Sequence, residues 1–501
     1  MSLLRNRWAH LSVFTIFLAY IGINALRLKY CVIDFDLWWH LKVGDWIVEH
    51  WAVPHTGILS RTAIERPWVA YSWGYEVLLS RFYAWFGLIG VGVFGTLLTI
   101  GVAYSVYWMT RRISGHFWLA VILAVAVCSA FLFNGMPRPV FFSMMLYCVT
   151  LALLLDAQNR ERIQLLYWLP GLLFLWANLH IQFIYGLFAI GLFVGVHVIN
   201  NFLQSTGLAR GFLKPSSLPV KPLLAILGLC VLATLLGPNL YRPYVAVLLY
   251  TKAKFSYNII MELQPLSFRG FSNFLELFLG AAGFYAVGWQ KKLDPFKLLL
   301  LVVASAVAFR TMRDGWFLCF SAAACIADFP ASAASRDQQE SWGDLAIVSG
   351  ALAVLLLFAA PVVHFDARGI DRAISADFPV NAINSLRRQG FSGPLYNNLN
   401  WGGFLMWYLP ELPVAIDGRN DLYGDAMDKI FYESQSAFPS YAADPYLDES
   451  RLVILDSTLP LAKVLTIDTR FQMVYHDDIA TVFMRRIAGG NTGRESHAPG
   501  Q

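Results

Sequence analysis

Residues 345–363 read LAIVSGALAVLLLFAAPVV, with no charged side chain between Leu345 and Val363. A helix needs about 20 largely apolar residues to cross the hydrocarbon core of a bilayer, and this run supplies them. Similar runs recur near 9–31, 87–109, 117–135, 140–156, 164–181, 183–203, 221–238, 272–290, 295–310 and 314–329. Together they predict about eleven spans, the ninth and tenth being short. The whole composition agrees. Of 501 residues, 57 % are hydrophobic and 14 % charged, against roughly 25 % charged in an ordinary soluble domain. Mean hydropathy is +0.52. So few charges cannot furnish the polar exterior of a soluble protein, and such hydrophobicity excludes disorder. The fold class expected is an all-α polytopic transmembrane bundle.

Orientation follows from the loops. With the N-terminus inside, the cytoplasmic loops carry Arg111 and Arg112, Arg160 and Arg162, then Arg210, Lys214 and Lys221, then Lys291 and Lys292, and finally Arg336. Each is basic, as the positive-inside rule requires; Arg27 and Lys29 near the outer end of the first span are an exception. Arg5 and Arg7 precede the first apolar run, which is long and lacks a convincing cleavage site, so it reads as an uncleaved anchor. The net charge of +5 is dispersed over short loops and is not a nucleic-acid footprint. Cysteines 31, 128, 148, 230, 319 and 325 form no CxxC or Cys/His cluster and read as buried apolar residues.

This topology puts three larger pieces outside. They are loops 32–86 and 239–271, which belong with a transmembrane domain of residues 1–363, and the chain from 364 onward. Residues 364–488 alternate short β-like runs, such as Val453–Leu455 and Ala480–Met484, with turns and polar helices. They predict an extracytoplasmic α/β domain with its own core. Residues 489–501 read as a disordered tail.

The first outer loop opens Asp34-Phe35-Asp36-Leu37-Trp38-Trp39-His40. If residues 36–49 are helical, Asp36 and His40 share a face at i,i+4. Such carboxylates suit a base toward an acceptor hydroxyl or amine, or a divalent cation, Mg or Mn, held by Asp34 and Asp36. The simpler reading is an N-cap on an interfacial helix. His55, Trp73 and Glu76 are further candidates, although interfacial anchoring explains the tryptophan; Val77–Phe86 reads as an amphipathic run on the membrane surface. Other costly polar groups collect on the same side: Arg138 after span three, His180 and Gln182 between spans five and six, Glu262 after span seven, and Arg310 and Arg313 between spans nine and ten. Arginines Arg138, Arg310 and Arg313 suit a lipid phosphate or pyrophosphate, while snorkelling accounts for any one of them alone. In the tail, Asp417-Gly418-Arg419 follows an expected short strand, Val414–Ile416. It reads either as an acceptor contact or as a turn that stabilises the fold.

The opening Asp-Phe-Asp-Leu-Trp-Trp-His-Leu, Arg138-Pro139, Asn178-Leu179-His180, Asn400-Trp401-Gly402-Gly403 and Asp417-Gly418-Arg419 together resemble a bacterial family of polytopic membrane proteins. That family is grouped with the C-type integral-membrane glycosyltransferases, whose relatives include protein mannosyltransferases and the lipid A aminoarabinose transferase. The likeness runs from about residue 30 to about residue 486. It implies transfer of a hexosyl or pentosyl group from a polyprenyl-phosphate donor to a glycan, lipid or protein acceptor, on the outer face of the bacterial cytoplasmic membrane. Asp34 or Asp36 would then serve as base or metal ligand. A transporter or flippase, or a non-catalytic assembly protein for a lipid-linked glycan, are the alternatives.

Overall fold

The computed structural model describes residues 6–27, 29–131, 138–206, 213–214, 218–329 and 340–486. Arg5, the end of the third expected span, Met136 and Pro137 of the arginine motif, Arg210, Arg336 and the tail 489–501 lie outside the described residues. The chain divides into two compact units, residues 1–56 with 67–373 and residues 57–66 with 374–501. The division thus falls later than the expected 363, and part of the first outer loop belongs to the second unit.

The first unit is helical: α1 (Arg7–Ala25), α2 (Lys29–Val32), α3 (Phe35–His50), α4 (Trp73–Ser114), α5 (Phe117–Phe131), α6 (Val140–Arg160), α7 (Leu169–Leu179), α8 (Phe183–Ser205), α9 (Val220–Thr234), α10 (Arg242–Tyr250), α11 (Lys254–Ile259), α12 (Phe271–Gly288), α13 (Pro295–Arg310), α14 (Gly315–Asp328), α15 (Trp342–Val362) and α16 (Ala367–Asp377), which runs on into the second unit. Local chemistry sets many of their ends. Asp34 caps α3 by accepting from the Asp36 amide, and Asp294 caps α13 ahead of Pro295. Ser341 and Asp344 form a capping box at the start of α15. Each satisfies amide donors that the first turn leaves without a partner.

Among the described residues six helices (α1, α4, α6, α8, α12 and α15) are long and apolar enough to cross a membrane, while α5, α7 with its leading 3-10 turn, and α9 are shorter apolar helices. Burial distinguishes their places. Almost every residue of α14 is buried, so this helix is the centre of the bundle. Helix α15 buries only Asp344 and Val348, and leaves Val354, Leu355, Leu357 and Phe358 exposed. A continuous apolar face of this kind is stable against lipid rather than water. The chain is a multi-pass membrane protein. All six cysteines are free and buried.

The polar loops sort to opposite ends of this bundle. At one end Arg112 bonds Asp156 at 2.5 Å, Gln158 bonds Asp294 at 2.6 Å, and Lys297 pairs with Asp294 and Asp328. These residues stand at the start of α13 and the ends of α4, α6 and α14, among the loops predicted to be cytoplasmic. The other end of α13 and the start of α14 carry Arg310 and Arg313.

Some elements differ from expectation. The first expected span breaks after Ala25, and α2 follows as a separate turn. The run Val77–Phe86 forms the first part of α4, which breaks at Gly87, where φ is 61° and ψ is −151°, so a separate helical stretch precedes the apolar one that follows Gly87. The segment Val414–Ile416 is no strand of the sheet; Val414 makes only an isolated parallel bridge to Ser60.

The second unit holds α17 (Val380–Gln389), β1 (Leu395–Asn397), α18 (Gly402–Tyr408), α19 (Asn420–Gln435), α20 (Pro445–Asp448), β2 (Leu452–Asp456), α21 (Pro460–Leu465), β3 (Phe471–His476) and β4 (Ala480–Arg485). Its sheet runs β1-β2-β4-β3, with β1 parallel to β2 and the other pairs antiparallel. The apolar run in β2 is buried along Leu452–Leu455, as a strand covered on both faces should be. Residues 57–66 join this unit through Arg61 N–H to Val414 O at 2.8 Å. Asn397 is a hub: fully buried, its amide donates to Ile416 O at 2.8 Å and accepts from the Ala415 amide at 2.8 Å. Replacement Asn397→Ala strands both backbone groups in the core. It is expected to destabilise this unit by about 2–3 kcal/mol, which proteolysis rates of the second unit in the full chain would report.

Candidate active site

The first unit gathers most of the polar residues singled out in the sequence. Asp34, capping α3, also receives a two-pronged bond from Arg138: Nε to Oδ2 at 2.9 Å and Nη2 to Oδ1 at 2.9 Å. Arg138 Nη1 reaches Asp36 at 3.4 Å and Glu262 at 3.3 Å. Glu262 in turn lies 3.6 Å from Arg313, whose guanidinium donates to the Tyr250 hydroxyl at 3.0 Å. One chain of alternating charges therefore links α3, the start of α6, the 3-10 turn at Met261–Leu263 and the α13–α14 junction. Paired guanidinium–carboxylate contacts are strong and fix orientation.

The two aspartates are not equivalent. The Asp34 side chain is 4 % exposed and both its oxygens are engaged, whereas that of Asp36 is 26 % exposed. Asp36 accepts from Trp39 Nε1 at 3.0 Å. Its removal from solvent pushes its carboxyl above the usual range; Arg138 opposes this and Asp34 adds to it. A carboxylate raised in this way is the better proton acceptor near neutrality.

Residues 36–49 are helical as the spacing required, and His40 is buried. Its Nδ1 lies 3.1 Å from Glu76 Oε1. The pair is possible because Gly44 lets α3 close on α4: a Cβ there would fall 2.1 Å from Glu76 O. His180, in the turn between α7 and α8, is held by Ser143 at 2.8 Å. Burial, with Arg313 and His40 close by, keeps its imidazole well below the usual range. Gln182 donates to Asp314 at 2.9 Å. Arg310 stands 5.2 Å over the Tyr257 ring, and among the described residues it has no carboxylate partner. Trp73 bonds Asn178 at 3.1 Å. His55 is exposed and bonds to none of these groups.

Asp417 and Arg419, in the second unit, are fully buried and joined at 2.8 Å. Tyr423 donates to Asp417, and Arg419 donates to Ile58 O at 2.9 Å. They hold the 57–66 segment in place and offer no exposed atom to an acceptor, so the geometry corrects the acceptor-binding expectation in favour of the structural turn.

A divalent cation at Asp34 and Asp36 does not fit this donor set. Both oxygens of Asp34 are taken by Arg138, and the guanidinium stands between the carboxylates where an ion would. Among the described residues no group of three or more His, Cys, Asp or Glu side chains converges for a metal.

Three contributors were not singled out beforehand. Tyr250, Tyr257 and Asp314 sit beside Glu262, Arg310 and Arg313. Their one sequence signal is membership of the same loops; isolated tyrosines carry no periodicity.

No family model and no curated protein matches this chain. Solved structures do. The chain aligns with the oligosaccharyltransferase AglB of Archaeoglobus fulgidus, in complex with an inhibitory peptide and a dolichol-phosphate, at TM-score 0.52 and 14 % identity, covering 90 % of this chain and 69 % of that one. The apo form of the Archaeoglobus fulgidus oligosaccharyltransferase gives 0.53 and 12 %, covering 90 % and 70 %. The chain shares the fold of this oligosaccharyltransferase. ArnT from Cupriavidus metallidurans, bound to undecaprenyl phosphate, also aligns, at 0.47 and 14 %, over 95 % of this chain and 98 % of that one.

Proposed function

We propose that the chain is an integral-membrane glycosyltransferase that moves a sugar from a polyprenyl-phosphate donor to an acceptor on the outer face of the cytoplasmic membrane. The observation that carries this reading is the continuous Asp34/Asp36–Arg138–Glu262–Arg313 network, at one end of a fold shared with a solved oligosaccharyltransferase. The dolichol-phosphate in that complex supports a lipid phosphate as the donor's carrier.

In this reading the residues divide the work. Asp36 takes the proton of the acceptor hydroxyl or amine. The freed lone pair forms the new bond to the anomeric carbon as the carbon–oxygen bond to phosphate breaks, and the polyprenyl phosphate leaves with the electron pair. Arg310 and Arg313 meet the charge growing on the leaving phosphate. Arg138, already engaged by Asp34, orients Asp36 rather than binding phosphate. His40 with Glu76, and His180 with Ser143, hold the walls. A sugar on a lipid phosphate needs no nucleotide-binding domain.

The test is direct. Purified protein in nanodiscs, given an undecaprenyl-phosphate-linked sugar and an envelope extract as acceptor, is expected to release undecaprenyl phosphate and label the acceptor in equal amounts. Donor consumption with no labelled acceptor, or no consumption across a panel of such donors, would remove the reading.

A further inference from the structure

The second unit carries a concentration of arginines that the proposed transfer chemistry does not use. Arg451, Arg470, Arg485 and Arg486, together with Glu449, Ser450 and Thr469, line one open cleft of about 620 Å³. The backbone assembles it: the Arg485 amide donates to Arg451 O and the Arg486 amide to Arg470 O, each at 2.9 Å. Four cationic side chains from three separate segments are thus brought to one concavity.

Their charges are not equally spent. Arg470 pairs with Asp468 at 2.8 Å and Asp448 at 2.9 Å, and Arg485 shares Asp448 at 3.1 Å. Both guanidiniums also flank the Phe471 ring, at 5.5 and 5.6 Å. Glu449 is drawn to Arg61 at 3.0 Å. Arg451 and Arg486, by contrast, have exposed side chains and no hydrogen bond or ion pair from their guanidiniums among the described residues. The stem of Arg451 is nevertheless ordered. It lies across Gly393, where φ is 118° and a Cβ would fall 2.9 Å from Arg451 Cδ. A guanidinium whose stem is seated but whose fork has no partner among the described residues is prepared for an anion.

We infer that this cleft binds an anionic glycan, one bearing carboxylate or phosphate groups on its sugar rings, with Arg451 and Arg486 as the free forks and Arg470 and Arg485 as the floor. Each fork matches a carboxylate or phosphate through two parallel N–H donors. A flat lipid surface cannot enter a concavity, which favours a chain of sugar rings. The inference deepens the transferase reading, resting on it for the source of the ligand: the acceptor, or its neighbouring repeat, is an acidic saccharide.

The experiment uses the full chain in nanodiscs of phosphatidylcholine, with fluorescent tetragalacturonate as probe and maltotetraose as its neutral counterpart. Saturable tetragalacturonate binding is expected at low salt, weakening as salt rises, with no binding of maltotetraose. The double variant Arg451→Gln/Arg486→Gln, which alters only exposed side chains, is expected to bind at least tenfold more weakly with an unchanged melting temperature. Arg451→Lys/Arg486→Lys should fall between. Asp36→Asn should bind like the wild type, so a failed transferase reading and a failed cleft give different results. Wild-type affinity in the double glutamine variant, equal binding of maltotetraose, or capture of phosphatidylglycerol vesicles in place of the probe would overturn the assignment.

Discussion

Replacing Asp36 with Asn is expected to lower the rate of sugar transfer by about 100- to 10,000-fold, the range a positioned general base contributes, while leaving donor binding near that of the wild type. The amide keeps the size of the side chain and an oxygen for Trp39 Nε1, so the local packing survives and only the proton acceptor is lost. Asp34→Asn acts by another route. It frees Arg138 from its two-pronged partner and so loses the orientation of Asp36. The pH profile separates a base from a packing residue. The base works only when ionised, and burial places Asp36 above the ordinary carboxylate range. The rate should therefore climb with pH and reach half its plateau at a higher pH than an exposed aspartate would give; in Asp36→Asn the residual rate should lose that limb. An unaltered rate in Asp36→Asn would take the proton acceptor elsewhere.

The second large effect is on stability. Arg138→Leu removes the cation that faces Asp34, Asp36 and Glu262 together. Asp34 is then left as a buried carboxylate with its charge unanswered, and three acids repel one another. Breaking a buried pair from one side costs about 3–5 kcal/mol. The partial exposure of Arg138 places the expectation at the lower end, about 3 kcal/mol. Thermal unfolding of the detergent-solubilised variants measures it. Arg138→Lys restores the charge but not the planar fork, and should recover part of the loss. The double variant Asp34→Asn/Arg138→Leu should lose less than the sum of its parts, because neither change then strands a charge. Strict additivity would mean that the two groups do not act as a pair.

How much of this was legible in the residues depends on the range of the signal. The apolar runs announced the bundle, because span length and composition are local. The Asp34–Asp36–His40 helix and the His180–Gln182 turn were readable for the same reason. Packing was not readable. A helix such as α14 is apolar all round and buried all round, so no face of its sequence says which neighbour it meets. For that reason Arg138 looked like a phosphate ligand, when Asp34, distant in sequence, already holds it. Likewise, nothing between Gly57 and Arg66 signals the Ser60–Val414 bridge that folds this stretch of the first loop into the second unit. The buried Asp417–Arg419 pair shows the other limit: a turn motif and a recognition motif look the same until burial is known.

If the Arg310–Arg313 end of the bundle meets the phosphate of a polyprenyl carrier, the protein retains that lipid and releases it when the guanidinium is lost. Undecaprenyl phosphate titrated into nanodiscs of the purified protein, with bound lipid counted by native mass spectrometry, is expected to saturate at one molecule per chain. Arg313→Gln should raise the dissociation constant at least tenfold, whereas Asp36→Asn should leave it nearly unchanged. Retention by Arg313→Gln equal to that of the wild type would show that the phosphate is not held at this end of the bundle.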